Sequence, residues 1–187
     1  MTYCEMITAS KTWSCPKAGR WKIICVGGGA SGGIGTISGT AETVQQNAGG
    51  TTSFGSYLSA LGGTKDLHGG NYDFVGGHGG YTGISYGGAG GIQVSKTSFT
   101  SPVINGGLPR TTGIGYGAGG GSSISGSDNR PISGKCGEFK CIELDLTAGQ
   151  SIACTIGVGG AAIPVSTNIN MYATAGNSGV IVVRFIQ

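Results

Sequence analysis

Glycines arrive in pairs and triplets along most of this chain, as in Gly27-Gly28-Gly29, Gly76-Gly77-His78-Gly79-Gly80 and Gly119-Gly120-Gly121. Such tracts cannot build an ordinary core, because glycine has no side chain to bury and loses more backbone entropy on folding than any other residue. The chain carries 41 glycines in 187 residues, far above the usual share of about 7%, so whatever orders the tracts decides the fold. Collagen is excluded by the lack of a G-X-Y period. Disorder is the competing outcome. Against it, Tyr, Phe, Ile and Leu recur between the tracts, where a flexible linker would carry Ser, Thr and Gln, and both ends of the chain read as strands.

The first segment, residues 2–26, holds two strand candidates separated by the turn signal Cys15-Pro16-Lys17-Ala18-Gly19. In Trp21-Lys22-Ile23-Ile24-Cys25-Val26 both parities are largely apolar, the pattern of a strand covered on both faces. Near the other end, Ile142, Leu144 and Leu146 alternate with Glu143 and Asp145, so one face of that strand is wet. The turn Thr147-Ala148-Gly149-Gln150 leads to residues 151–156, where Ile152, Cys154 and Ile156 share a face, and the two strands are expected to form a hairpin. Residues 179–186 close the chain as an apolar strand expected at the centre of a sheet.

From residue 27 to about 134 nothing shows a helical period, and glycine blocks alternate with short, irregular spacers. The conformation open to such blocks is an extended three-residue helix of the polyproline II type, which has no internal hydrogen bonds. Its N–H and C=O groups must then pair with neighbouring chains, and the missing side chains let backbones come close enough to do so. The expected fold is all-β. Terminal antiparallel strands form a sheet or sandwich, a layer of packed polyglycine or polyproline II-type helices lies against them, and there is almost no α-helix. The chain reads as one domain, 1–187, with N-terminal strands at 1–26, the glycine-rich layer and its spacer loops at 27–134, and C-terminal strands at 135–187.

Several function classes fall away. The 11 Lys and Arg exceed the 8 Asp and Glu by three but are scattered, whereas nucleic-acid binding needs a basic stripe along the phosphates. The N-terminus has neither a basic n-region nor an apolar h-region, and no apolar run is long enough to span a membrane, so synthesis in the cytoplasm without an export signal is expected. Six cysteines then read as free, buried thiols rather than three disulfides. Gly27-Gly28-Gly29-Ala30-Ser31-Gly32 satisfies the G-x-G-x-x-G dinucleotide pattern, but no helix can follow in Gly33-Ile34-Gly35. Gly83-Ile84-Ser85-Tyr86-Gly87 matches the nucleophile elbow, yet both histidines, His68 and His78, lie upstream, the reverse of the order that motif needs. The histidines have no zinc spacing and there is no C-x-x-C pair. No catalytic residue, metal site or cofactor is expected, and the chain does not read as an enzyme.

The spacers carry what chemistry there is: Tyr72, Phe74, His78, Tyr81, Tyr86, Phe99, Asn105, Arg110, Tyr116 and Asn129. Flat rings beside amides and charges suit sugar or protein surfaces, because rings stack while polar edges satisfy hydroxyls. The other reading of the aromatics is that they cover the glycine tracts.

In order along the chain come Trp13 to Gly19, Trp21 to Gly29, Gly50-Thr51-Thr52-Ser53-Phe54-Gly55-Ser56, residues 146–150 running to Ile156-Gly157-Val158-Gly159-Gly160, and Ala175-Gly176-Asn177-Ser178-Gly179 entering the last strand. This succession resembles the glycine-rich domains at the tips of bacteriophage tail fibres, over nearly the whole length. The chain departs from that pattern in Ala148, where proline is usual, and in its cysteines. The resemblance implies a virion protein, a tail-fibre tip or adhesin that binds a host cell-surface receptor, glycan or protein, through loops between glycine tracts. Its other partners would be virion fibre proteins, with neither nucleic acid nor membrane insertion, and the terminal strands would serve equally a docked monomer or a homotrimer. The alternatives are a structural virion component such as a capsid fibre or decoration protein, or an ice-binding protein.

Overall fold

The structure is a computed structural model that describes residues 3–38, 41–64, 84–86, 112–124, 129–164 and 172–187. It is all-β, with no helix among the described residues. The first seven strands are β1 (Cys4–Ile7), β2 (Lys11–Ser14), β3 (Gly19–Val26), β4 (Gly33–Ser38), β5 (Ala41–Gln45), β6 (Thr52–Phe54) and β7 (Leu58–Ala60). Seven more follow: β8 (Ile84–Tyr86), β9 (Ser122–Ile124), β10 (Asn129–Ile132), β11 (Phe139–Leu146), β12 (Ser151–Thr155), β13 (Tyr172–Ala173) and β14 (Val180–Phe185).

Two four-stranded antiparallel sheets, ordered β1-β14-β3-β11 and β2-β12-β6-β7, face each other as a sandwich. Both chain termini therefore enter the first sheet, and β14 and β3 are its central strands, as the two-faced apolar pattern of Trp21–Val26 and the run at 180–183 require. Trp21, Ile23 and Cys25 point into the sandwich with Trp13, Phe54, Ile152 and Cys154. Ile24 and Val26 point the other way, against Val180 and Val182, and Tyr116 packs over them. Trp21 takes edge-on contacts from the rings of Tyr3, Trp13 and Phe185, with centroids 5.1 to 5.3 Å apart, a geometry that adds roughly 0.5–1.5 kcal/mol per pair beyond burial.

The expected hairpin between residues 141–146 and 151–156 does not form. β11 pairs with β3 along all eight of its residues, from Phe139↔Val26 to Leu146↔Gly19, and β12 pairs with β2 and β6 in the opposite sheet. Turn 147–150 thus crosses between sheets rather than folding a strand back on its neighbour. Alternation correctly assigns the buried faces of both strands, but it carries no information on which strand lies alongside. The turn at 15–19 makes the same crossing, and the two turns brace each other: Cys15 N–H donates to Gln150 C=O and Gly149 N–H to Cys15 C=O, both at 2.8 Å.

Where β3 ends, the chain continues as an extended segment, 27–32, whose amides leave in rotation. The N–H groups of Gly27 and Ala30 donate to Glu138 and Lys135, those of Gly28 and Ser31 to Gly50 and Asn47, and those of Gly29 and Gly32 to Asn177 and Thr174. Each direction returns every third residue, and each partner segment runs antiparallel to the centre. Three other segments donate back: Gly63 to Gly28 C=O, Gly160 to Gly29 C=O and Gly120 to Ala30 C=O.

These six partners also bond to one another around the centre. Gly49 donates to Gly63, Gly50 to Val158, Gly176 to Gly160, Asn177 to Ala118, Gly134 to Gly120 and Glu138 to Leu61, which closes the ring. Residues 27–32 are thus enclosed by segments 47–50, 61–63, 117–121, 134–138, 157–160 and 174–179. The ring also recruits 135–138, 157–160 and 174–179 from the part of the sequence read as the C-terminal strands. Glycine is required here by distance: a Cβ at Gly28 would stand 2.2 Å from Val158 O and one at Gly29 2.0 Å from Ala118 O.

Candidate functional site

At about 3.3 Å per extended residue, the six residues of the central segment carry the chain roughly 20 Å from the sandwich to a second set of strands. There β4 pairs with β10 and β5, and β9 pairs with β8 and β13. Segments 61–63 and 157–160 also run outward from sandwich strands, whereas 47–50, 134–138 and 174–179 run back towards them. Consequently residues 65–83, 87–111, 125–128 and 165–171, and the β4–β5 tip at 39–40, all join the described chain at the end remote from the sandwich. The two terminal strands, β1 and β14, and both sheet-crossing turns sit at the sandwich end. The bundle separates the two.

Polar side chains pin the remote end of the bundle. Gln46, 2% exposed, donates Nε2 to Ser31 O (2.9 Å) and Ser133 O (3.2 Å). Ser31 Oγ accepts the Asn47 N–H at 2.9 Å, and Asn47 Nδ2 donates to Ala161 O at 2.8 Å. Thr174 Oγ1 accepts the Gly121 N–H at 2.7 Å, and Ser122 Oγ donates to Ile132 O at 2.8 Å. No buried side-chain nitrogen or oxygen among the described residues lacks a hydrogen-bond partner, so the segments that leave this end start from a fixed frame. None of these anchors stood out in the sequence. The available signal was a lone amide or hydroxyl within two residues of a glycine, as in Asn47-Ala48-Gly49 and Gly176-Asn177.

Of the residues expected to meet a receptor, Tyr72, Phe74, His78, Tyr81, Phe99, Asn105 and Arg110 lie outside the described residues. Tyr86 ends β8 and Asn129 begins β10, both at the remote end. Tyr116 is elsewhere. Residues 112–116 descend along the bundle and turn back at Gly115 and Gly117, both at positive φ, and Asn177 Nδ2 holds that turn through Gly113 O and Gly115 O. The Tyr116 ring packs on the outer face of the terminal sheet.

Charge also divides between the ends. On the sandwich and the bundle, Lys11, Lys17, Arg20, Lys22, Lys135, Lys140 and Arg184 outnumber Glu5, Glu138, Glu143 and Asp145 by three, which accounts for the whole formal charge of +3. Lys65, Lys96, Arg110 and Arg130 match Glu42, Asp66, Asp73 and Asp128, so the remote strands and the segments attached there carry no net charge. In the sandwich, Glu5 receives Lys11, the Tyr3 hydroxyl and Trp13 Nε1 (3.0 Å), tying β1 of one sheet to β2 of the other. Burial pushes the Glu5 carboxyl up, and the bonds from Lys11, Tyr3 and Trp13 outweigh it, holding the group below the ordinary carboxylate value.

The dinucleotide look-alike can cradle no phosphate, because the amides of Gly27 to Gly32 are all spent on neighbouring carbonyls. Among the described residues no group of three or more His, Cys, Asp or Glu is placed to hold a metal. No disulfide joins the six cysteines; Cys15, Cys25 and Cys154 are buried as expected, whereas Cys136 and Cys141 are exposed and Cys4 is half-buried. Compared with models of protein families, with curated proteins and with solved structures, the chain matches none.

Proposed function

We propose that this protein is a bacteriophage virion protein, a tail-fibre tip or adhesin that binds a host cell-surface receptor through the segments leaving the remote end of the glycine bundle. One observation carries the reading: apart from the turn that holds Tyr116, the spacers that carry the candidate aromatics and amides join the frame at one end, opposite the terminal strands, so a fibre held at the sandwich leaves that end facing outward. Binding loops on a rigid scaffold are the usual division of labour, since the scaffold meets the ordering entropy and the loops are left to vary. The resemblance to tail-fibre tips agrees with this, and the charge balance favours a glycan or a neutral protein surface over a polyanion. We read the bundle itself as packed polyproline II-type helices, supported by the return of each hydrogen-bond direction every third residue.

The test replaces 71–75, 81–83 and 92–105 together with Ser/Gly spacers of equal length and leaves strand β8 at 84–86 intact. The expected result is loss of particle adsorption to host cells with an unchanged thermal midpoint. Unchanged adsorption by the folded variant overturns the reading and leaves a structural virion role.

A further inference from the structure

The sheet β2-β12-β6-β7 and the bundle share one continuous outer surface, and no residue on it carries a charge. Trp13, Ile152, Cys154 and Phe54 point into the sandwich, so by alternation Thr12, Ser53, Ser59, Ser151, Ala153 and Thr155 point out of this sheet. All are exposed except Ser53, which is half-buried, and the one lysine of β2, Lys11, turns inward to Glu5. The strands run on into the bundle in unchanged order. Segment 157–160 follows β12, 47–50 leads into β6 and 61–63 follows β7, with Gly50 N–H bonded to Val158 O on one side and Gly49 N–H to Gly63 O on the other. Here Val158, 68% exposed, and Leu61, 57% exposed, stand on either side of Gly49 and Gly50, whose lack of side chains leaves a groove between them.

The terminal sheet is the reverse. Arg20, Lys22, Glu143, Asp145 and Arg184 alternate with its inward residues and so face outward, and Arg20 reaches Glu143 at 3.8 Å and Asp145 at 4.0 Å. The sandwich thus has a charged side and an uncharged one.

We propose that the uncharged side is where two copies of this chain pair, about a two-fold axis that runs along the strands between β12 and β6. Area, charge and shape select a second copy as the occupant. At about 4.8 Å per strand and about 3.3 Å per residue, a face four strands wide in the sheet, three segments wide in the bundle and running from residue 151 to residue 161 covers roughly 600 Å² on each copy, the lower end of what a specific interface needs. Each copy carries a formal charge of +3, and this is the side that brings no like charges together when a copy meets its twin. The axis lies midway across the four strands, so it exchanges β12 with β6 and segment 157–160 with 47–50. Val158 of each copy then enters the Gly49–Gly50 groove of the other, the reciprocal fit that an isologous interface requires. An axis along the strands also leaves both remote ends pointing the same way, so the pair presents two such ends side by side, whatever they bind.

Sedimentation equilibrium of the full chain over a concentration series tests this, with backbone amide resonances followed on dilution. The expected mass rises to that of two chains, and the resonances that move belong to 47–51, 153–155 and 157–160 while those of the terminal sheet stay still. Val158→Lys alters an exposed side chain and sets a charge against the neutral groove, and Ala153→Lys does the same in the sheet beside the axis; each weakens association by roughly tenfold or more. Ile114→Lys, 59% exposed in the native chain but on the strap at 112–116, leaves association unchanged. A single-chain mass at every concentration overturns the proposal and leaves the face to a different chain. A double mass that survives both lysine variants on the face, or dilution shifts confined to the terminal sheet, overturns it as well. The readout is mass, so the result stands apart from whether the remote end binds a receptor.

Discussion

Adding one methyl group at Gly29 tests the bundle at its central segment. The new Cβ would stand 2.0 Å from Ala118 O and 2.6 Å from Gly117 O, against an ordinary contact of 3.4 Å or more, so segment 117–121 must retreat by about 1.4 Å from the centre. That displacement breaks the Gly120 to Ala30 bond (2.8 Å) and distorts the Asn177 to Ala118 bond (2.8 Å). The groups involved are enclosed by backbone on all sides, so each orphaned donor or acceptor costs about 1–3 kcal/mol. Alanine stiffens the unfolded chain and returns about 0.4–1 kcal/mol. The net expectation for Gly29→Ala is a loss of about 3–4 kcal/mol, a large share of the roughly 5–15 kcal/mol that holds a domain together. It should be read by denaturant titration and by a fall in Tm of roughly 6–16 °C. Gly149→Ala is the control, because a Cβ there meets nothing within 4 Å and only the positive φ of 78° is strained, at about 1 kcal/mol. A Gly29→Ala protein no less stable than Gly149→Ala would refute the reasoning.

Other expectations concern the sandwich. Because the Glu5 carboxyl is held below its ordinary value in the folded state, it stabilises the fold above the unfolded-state pKa and that contribution disappears as pH falls through the folded one. Glu5→Gln should therefore lower stability at pH 7 by roughly 1–2 kcal/mol and flatten the acid limb of a stability–pH curve, and an unaltered limb would contradict the clamp. Trp21→Ala removes a fully buried ring and should cost roughly 3–5 kcal/mol in the same titration. In the reduced native protein iodoacetamide should label Cys136 and Cys141 first, while Cys15, Cys25 and Cys154 stay protected until unfolding. Peptide-resolved labelling rates decide this.

The strands were legible because their grammar is local. Trp21–Val26, Ile142–Leu146 and Ile152–Ile156 each display their buried faces in their own alternation. Pairing was not, since β11 chose β3, some 120 positions away in sequence, over the neighbour that turn 147–150 suggested. The glycine tracts announced close packing, yet nothing in Gly27–Gly32 points to Glu138, Gly50 or Asn177 as partners. A glycine reports that a backbone comes near without saying which one. The same limit applies to the remote end, where Gln46, Asn47 and Thr174 look like ordinary loop residues until the ring of segments places them together.

The most direct test of the bundle is to observe its hydrogen bonds one by one, through scalar couplings across them between the amide nitrogens of residues 27–32 and carbonyl carbons in isotopically labelled protein. The predicted set rotates through three segments: Gly27 to Glu138, Gly28 to Gly50, Gly29 to Asn177, then Ala30 to Lys135, Ser31 to Asn47 and Gly32 to Thr174. Couplings to a single neighbouring strand, as in a β-ladder, or amides that exchange with solvent as freely as an open chain, would contradict the account.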